Sequence, residues 1–209
     1  MAEGSSKKVY VNGALKVGKT IIDEGSLGDS LSGSNLADLI QTNVDNGKLP
    51  EDENGIYFIM TGNNIDESIR PDLGAASFCS DYCGYHISTK LSSGKQIQYG
   101  FVGNPITKCA FNCLPQQNQR KSPNNDPGVD GLLSALAHEI TEAISDPISD
   151  IDDARAWQDS NGSENGDKCA YDFGSSVKKD QNGASYNLEF GGKKYLIQQN
   201  WSPVSQSCV

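Results

Sequence analysis

His138, Glu139 and Glu142 fall in the run Ala137-His-Glu-Ile-Thr-Glu142, a spacing suited to metal-dependent hydrolysis. On a helix, residues four apart lie on one face, so the His138 imidazole and the Glu142 carboxylate can share a divalent cation. A catalytic zinc takes three protein ligands from nitrogen and oxygen donors and keeps one position for water. Glu139, on the neighbouring row, would accept a proton from that water, as Glu does in a His-Glu-x-x-His motif. A carboxylate in place of the second histidine hardens the site and lowers the Lewis acidity of zinc, which also admits calcium or manganese. The third ligand must come from elsewhere. Glu164-Asn-Gly-Asp167 offers two carboxylates around a glycine, with an acidic surface turn as the alternative. His86, the other of the two histidines, is a further ligand, a donor to a developing oxyanion, or a structural strand residue. Asp150, Asp152 and Asp153 lack the spacing of a calcium loop and read as solvated.

These residues need a helix and a sheet to hold them. At about 100° per residue, Leu133, Leu136, Ile140, Ala143 and Ile144 cluster on one side of the helix, which predicts the buried stripe. His138 and Glu142 lie opposite, among Gly131, Ser134, Ala135 and Ser145. Such small neighbours suit the floor of a cleft; an ordinary solvated face is the alternative. The helix is predicted over 129–145, with Asp146-Pro147 ending it. Upstream, Val9–Val11 reads as a short strand, and Ser34 as the N-cap of a helix over 35–45 carrying Leu36, Leu39, Ile40 and Val44 on one stripe. The continuous apolar run Gly55–Thr61 predicts a strand buried on both faces. Strands over 85–89 and 96–102 turn at Gly94-Lys95, and a late hairpin joins 185–190 to 193–201 across Gly191-Gly192. The order predicts one α+β domain over 1–209, with residues 1–7 standing outside it. Its layout is zincin-like: a mixed sheet backs a central metal-bearing helix, and a disulfide-stapled, loop-rich C-terminal lobe follows.

Composition narrows the partners. With 17 basic and 27 acidic residues the net charge is −10, which disfavours nucleic acid and anionic membrane surfaces. No run of about 18 apolar residues is present to span a bilayer. Met1–Lys8 has no apolar core and does not read as a secretory leader. The six cysteines still favour an exported, mature chain. They fall as the close pairs Cys79/Cys83 and Cys109/Cys113, each expected to bridge locally, plus Cys169 and Cys208, expected to bridge to each other; thiolate zinc is the competing use. The sequons at Asn161 and Asn200 fit export. The chain has no Gly-x-Ser-x-Gly elbow, phosphate loop or dinucleotide fingerprint. Carboxylates three apart on one helix rarely flank a sugar bond as glycosidases require.

Several segments together resemble one family. They are Phe78–His86, Tyr99–Asn104, Cys109–Cys113, Pro123–Gly131, Ala137–Glu142, Ala156-Trp157, Glu164–Cys169, Asn182–Asn187 and Gln199–Val204, with Cys208 closing. In that order, over 56–208, the chain resembles the EXORDIUM-like (phosphate-induced protein 1) family; the likeness is weaker before residue 55. It departs from the family pattern at Tyr85, where Trp is typical, at Asn165, where an aliphatic residue is typical, and in a shorter loop after Cys169. The resemblance implies an extracellular or cell-wall protein linked to growth, with no settled biochemical activity. It also places His86, His138, Glu139, Glu142, Glu164 and Asp167 on motif positions. The expectation is therefore a secreted zinc peptidase, in which His138, Glu142 and Asp167 or Glu164 bind the metal. The alternatives are a non-catalytic cell-wall growth or signalling protein with a structural metal, and a carbohydrate-binding protein. The partner would be a peptide or a cell-wall component.

Overall fold

Apolar residues alternate as Ile97, Tyr99 and Phe101 on one strand and as Tyr85 and Ile87 on its neighbour, so one face of a hairpin is apolar. Around that hairpin the rest of the molecule packs. The computed structural model describes residues 13–70, 76–148 and 155–209. The expected strand at Val9–Val11, the leading residues 1–7, and Asp150, Asp152 and Asp153 lie outside the described residues.

The elements run β1 (Ser30–Ser32), α1 (Gly33–Asp45), β2 (Ile56–Thr61), β3 (Asp66–Ser68), β4 (Gly84–Lys90) and β5 (Gln96–Gly103). Next come α2 (Ala110–Cys113) and α3 (Pro127–Ser145). The main sheet has the order β2-β5-β4: β4 and β5 pair antiparallel, with His86 opposite Gly100, and β2 joins β5 in parallel, with Ile59 opposite Phe101. β1 and β3 form a separate parallel pair. This is an α+β domain with a mixed sheet, as expected. α1 packs on the apolar face through Leu36 and Ile40, which join Ile97, Tyr99 and Phe101 in the core. α3 covers the opposite face, against β4 and β5.

Local chemistry explains the helix starts. Ser32, two residues earlier than expected, caps α1: its hydroxyl accepts from the Asn35 N–H at 3.2 Å, and Asn35 Oδ1 accepts from the Ser32 N–H at 3.0 Å. Asp126 caps α3 through the Val129 N–H, with Pro127 in the first turn, so this helix also starts two residues early.

Two expectations about burial need correction. The run Gly55–Thr61 forms β2, but β2 is only half-buried and, among the described residues, stands at the edge of the sheet with β5 as its one partner. On α3 only Ala143 of the expected stripe is buried, whereas Leu133, Leu136, Ile140 and Ile144 are half-buried; the other buried positions are Gly128, Gly131, Leu132, Glu139 and Glu142. The polar side of the helix turns towards the sheet because β4 offers it a histidine instead of an apolar surface.

The disulfides are Cys79–Cys109, Cys83–Cys113 and Cys169–Cys208. The third is as expected, but the two close pairs cross-link to each other instead of bridging locally. Cys109 and Cys113 stand one helical turn apart, which separates their Cβ atoms by about 5–6 Å, beyond what one bridge spans. Both therefore reach across to the Cys79–Cys83 turn, making two rungs of one ladder.

Beyond α3 the chain forms a loop-rich lobe of short ribbons, in line with the sequence reading. β6 (Lys178–Lys179) pairs with β7 (Ser185–Tyr186), β8 (Leu188–Phe190) with β9 (Lys193–Tyr195), and β10 (Trp201–Ser202) with β11 (Ser207–Cys208). The hairpin across Gly191-Gly192 is thus shorter than predicted. Among the described residues no helix is long and apolar enough to cross a membrane.

Each rung closes a loop with a sequence separation of 30 residues. Replacing all four of Cys79, Cys83, Cys109 and Cys113 by Ser is expected to cost about 3–5 kcal/mol in chemical denaturation. Removing only one rung is expected to cost distinctly less, because the other still closes the same loop.

Candidate metal centre

α3, β4 and the loop at 164–167 meet over a cleft of about 430 Å3. From α3, His138 Nε2 lies 3.2 Å from Glu142 Oε2, the one-turn pairing that the motif implies. From the loop, Asp167 brings Oδ1 to 3.6 Å from the same nitrogen. The Asp167 N–H donates to Glu142 Oε1 at 2.9 Å. His138, Glu142 and Asp167 thereby place three ligand-type atoms within 4.8 Å of one another. The Asp167 side chain is about half exposed, so this group opens to solvent.

Gly166 lets the loop come this close. A Cβ there would stand 2.7 Å from Glu142 Oε1 and 3.0 Å from His138 Nδ1, so only glycine fits without displacement. The loop is fastened from behind. Gln198 Nε2 donates to the Gly166 carbonyl, the Trp201 N–H to the Asn165 carbonyl, and Ser145 Oγ to Asn165 Oδ1. Cys169–Cys208 ties the following turn to β11. Asn165 thus holds the loop with both its carbonyl and its side chain.

His86 belongs to a second group. Its Nδ1 lies 3.3 Å from Glu139 Oε2 and 3.9 Å from Glu142 Oε2, and His86, Glu139 and Glu142 form a second, fully buried set within 4.8 Å. His86 Nε2 faces the Asp146 carbonyl oxygen at 3.2 Å and Glu164 Oε1 at 3.5 Å. The structure therefore brings all the sequence-predicted residues together but divides them. Asp167 joins the His138–Glu142 pair, whereas Glu164 sits on the far edge of the His86 ring. Gly84 gives Glu139 its room, since a Cβ there would stand 3.1 Å from the Glu139 carboxylate.

Two supporting residues escaped the sequence reading. Asp146, read only as a helix stop, is fully buried; its carboxylate accepts from the Ala156 N–H at 2.6 Å and Gln158 Nε2 at 3.0 Å while its carbonyl meets His86. Glu67, buried on β3, accepts from Tyr82 at 2.5 Å and Tyr85 at 3.0 Å, fixing the segment that leads into His86. Asp-Pro at a helix end is a weak signal for the first; nothing local marks the second. Of the two sequons, Asn161 is exposed, whereas Asn200 is half-buried and accepts from the Thr141 hydroxyl.

A family model described as the phosphate-induced protein 1 conserved region matches residues 2–209. The chain belongs to the phosphate-induced protein 1 family. The match reaches well before residue 55, further than the recognisable motifs extend. Among similar relatives, Protein EXORDIUM-like 3 of Arabidopsis thaliana is 28% identical over 95% of this chain and 63% of that protein. Protein EXORDIUM-like 5 of the same plant is 29% identical over 88% of the chain and 54% of that protein. Protein PHOSPHATE-INDUCED 1 of Nicotiana tabacum is 28% identical over 93% of the chain and 64% of that protein. The chain thus spans little more than half to just under two thirds of the length of these relatives. No solved structure matches it.

In this phosphate-induced protein 1 chain the carboxylates set the protonation of the cleft. Burial opposes a charge on His86, but Glu139, Glu164 and Glu142 outweigh it and hold its pKa up at about 9. His138 is likewise buried, and Asp167 and Glu142 lift it to about 11. Burial pushes Glu139 up and raises Glu164 to about 8, while the His138 hydrogen bond holds Asp167 down. Both histidines are raised above 6.5, so their stabilising contribution is fully present below that pH. It is lost as pH climbs through about 9 and 11. Glu164, raised from 4.5 to about 8, acts in the same direction, because the unfolded chain ionises first as pH rises. Chelator-treated protein is therefore expected to show a lower urea midpoint at about pH 9.5 than at about pH 6, with Asp167 reversing the trend only in acid.

Proposed function

We propose that this chain is a secreted, zincin-like, zinc-dependent peptidase. In this reading His138, Glu142 and Asp167 hold the metal and Glu139 handles the proton. The observation that carries it is the delivery of Asp167 onto the His138–Glu142 pair from a separate, disulfide-anchored loop, giving three nitrogen and oxygen donors beside an open cleft. Such a set fits zinc, with manganese as the harder alternative. Zinc bound there would lower the pKa of a water and polarise a carbonyl.

The residues of the chain do the rest. Glu139 is buried with a raised proton affinity, which suits a group that must accept a proton near neutrality. His86, held by the Asp146 carbonyl on one edge, positions the Glu139 carboxylate on the other. Its side chain is only 3% exposed, which favours positioning over contact with a substrate oxyanion. Tyr82 and Tyr171 line the cleft and offer flat apolar walls to a peptide. Three disulfides and the likeness to plant EXORDIUM-like proteins support secretion.

A second reading, a non-catalytic extracellular protein with a structural metal, is favoured by one observation: Glu139 is 6% exposed and already engaged with His86. Profiling zinc-loaded protein against a peptide library by mass spectrometry separates the two. Glu139→Gln is expected to lower cleavage by about 10²-fold or more with zinc still bound. An unchanged rate, or wild-type protein that cleaves nothing while retaining zinc, sinks the peptidase reading.

A further inference from the structure

The two donor sets share one residue. Glu142 Oε2 faces His138 Nε2 at 3.2 Å and His86 Nδ1 at 3.9 Å, yet the two imidazoles fall in different sets. A single zinc reaches ligands at about 2 Å, so it spans donors about 4 Å apart at most. One ion therefore serves one set or the other.

Donor and acceptor types make the inner set the more telling. Two acceptors face His86 Nε2 among the described residues, the Asp146 carbonyl and Glu164 Oε1, a setting that suits a hydrogen on that nitrogen. Nδ1 in turn faces two carboxylates, Glu139 and Glu142. A bare lone pair is repelled there, so the gap takes either a proton or a cation. A carbonyl or carboxylate on the remote nitrogen is also the support that metal-bound histidines use to fix their tautomer. Glu164 is only 9% exposed, and its Oε1 accepts no hydrogen bond, which leaves it free to take up the stronger Nε2–H of a metal-bound ring. Charge argues the same way. Glu139, Glu142, Glu164 and Asp167 converge on this cleft, and among the described residues lining it there is no lysine or arginine.

We propose that the protein binds a second divalent cation, held by His86 Nδ1, Glu139 and Glu142, with Glu142 bridging it to the ion at His138 and Asp167. The inference rests on the outer ion of the proposed function and adds an inner one. The inner set is buried on all three ligands, whereas the outer set opens to the cleft. Filling the inner set replaces the Nδ1 proton and commits Glu139 as a ligand, which withdraws it from proton transfer. The doubly loaded protein is then a stable, hydrolytically silent form, and the singly loaded protein the competent one.

The test is stoichiometry. Full-length protein, purified without a metal-affinity column and stripped with chelator, is titrated with Zn2+ by calorimetry, and its metal content is measured by elemental analysis after equilibrium dialysis. Two ions per chain are expected, falling to one in His86→Ala and to one in Asp167→Ala. Glu142→Ala is expected to weaken both. Should His86→Ala not fold, Glu139→Gln takes its place, with the outer ion retained and the inner ion weakened at least ~10-fold. Mn2+-loaded protein should also show exchange-coupled electron spin resonance, as two ions about 3.5–4 Å apart require. A single ion in wild type overturns the proposal. If that ion survives His86→Ala and is lost in Asp167→Ala, the outer site stands alone and the function proposed above is untouched. No bound ion at all overturns both.

Discussion

Burying negative charge is the constraint on which this structure turns. α3 lays Glu139 and Glu142 against a sheet, and each is less than a tenth exposed. Carboxylates in that position require a cation or a hydrogen bond to offset the loss of water. The molecule supplies two imidazoles, one from β4 and one from α3 itself, and much of the surrounding architecture keeps those rings in place. The Cys79–Cys109 and Cys83–Cys113 ladder and the Tyr82–Glu67–Tyr85 contacts hold the entry to β4. The Asp146 carbonyl and the loop behind Asp167 hold the far side. The apolar core lies on the opposite face of the sheet, under α1, so hydrophobic packing and charge compensation are separated by one strand layer.

The sequence read well where a local rule governs. The β4–β5 hairpin, α1 and α3 follow from periodicity and punctuation, with starts displaced by only a residue or two because caps and Pro127 set them. The stripe on α3 misled because the hydrophobic pattern assumes that a helix buries its apolar side. Here β4 presents His86 to the polar side, and polar groups pair across the interface while Leu136 and Ile140 stay half-exposed. Likewise the apolar run Gly55–Thr61 predicts more burial than β2 has: composition reports a buried neighbour, but not how many strands flank the run.

Pairings beyond local reach were harder. Cys-x3-Cys occurring twice is compatible with two local bridges or with a ladder, and only the helical placement of Cys109 and Cys113 decides. Spacing left Glu164 and Asp167 equivalent, but the fold sends one to His138 and the other to His86. Family likeness gathered His86, His138 and the Glu164–Asp167 loop before the fold was known. It could not tell that they form two sets sharing an oxygen of Glu142, since that depends on ring orientation and on the partner of each ring nitrogen.

Gly166 carries a consequence for how this cleft can diverge. Where it meets Glu142 and His138, the wall is bare main chain, pressed too close for any side chain to intervene. A protein that retunes what it accepts usually does so by exchanging side chains around a pocket, and along this stretch of wall there is none to exchange. Adaptation is pushed onto other parts of the lining, such as the exposed Tyr171. The side of the cleft formed where Gly166 meets Glu142 and His138 is therefore frozen by geometry, and the side facing solvent is left free to drift.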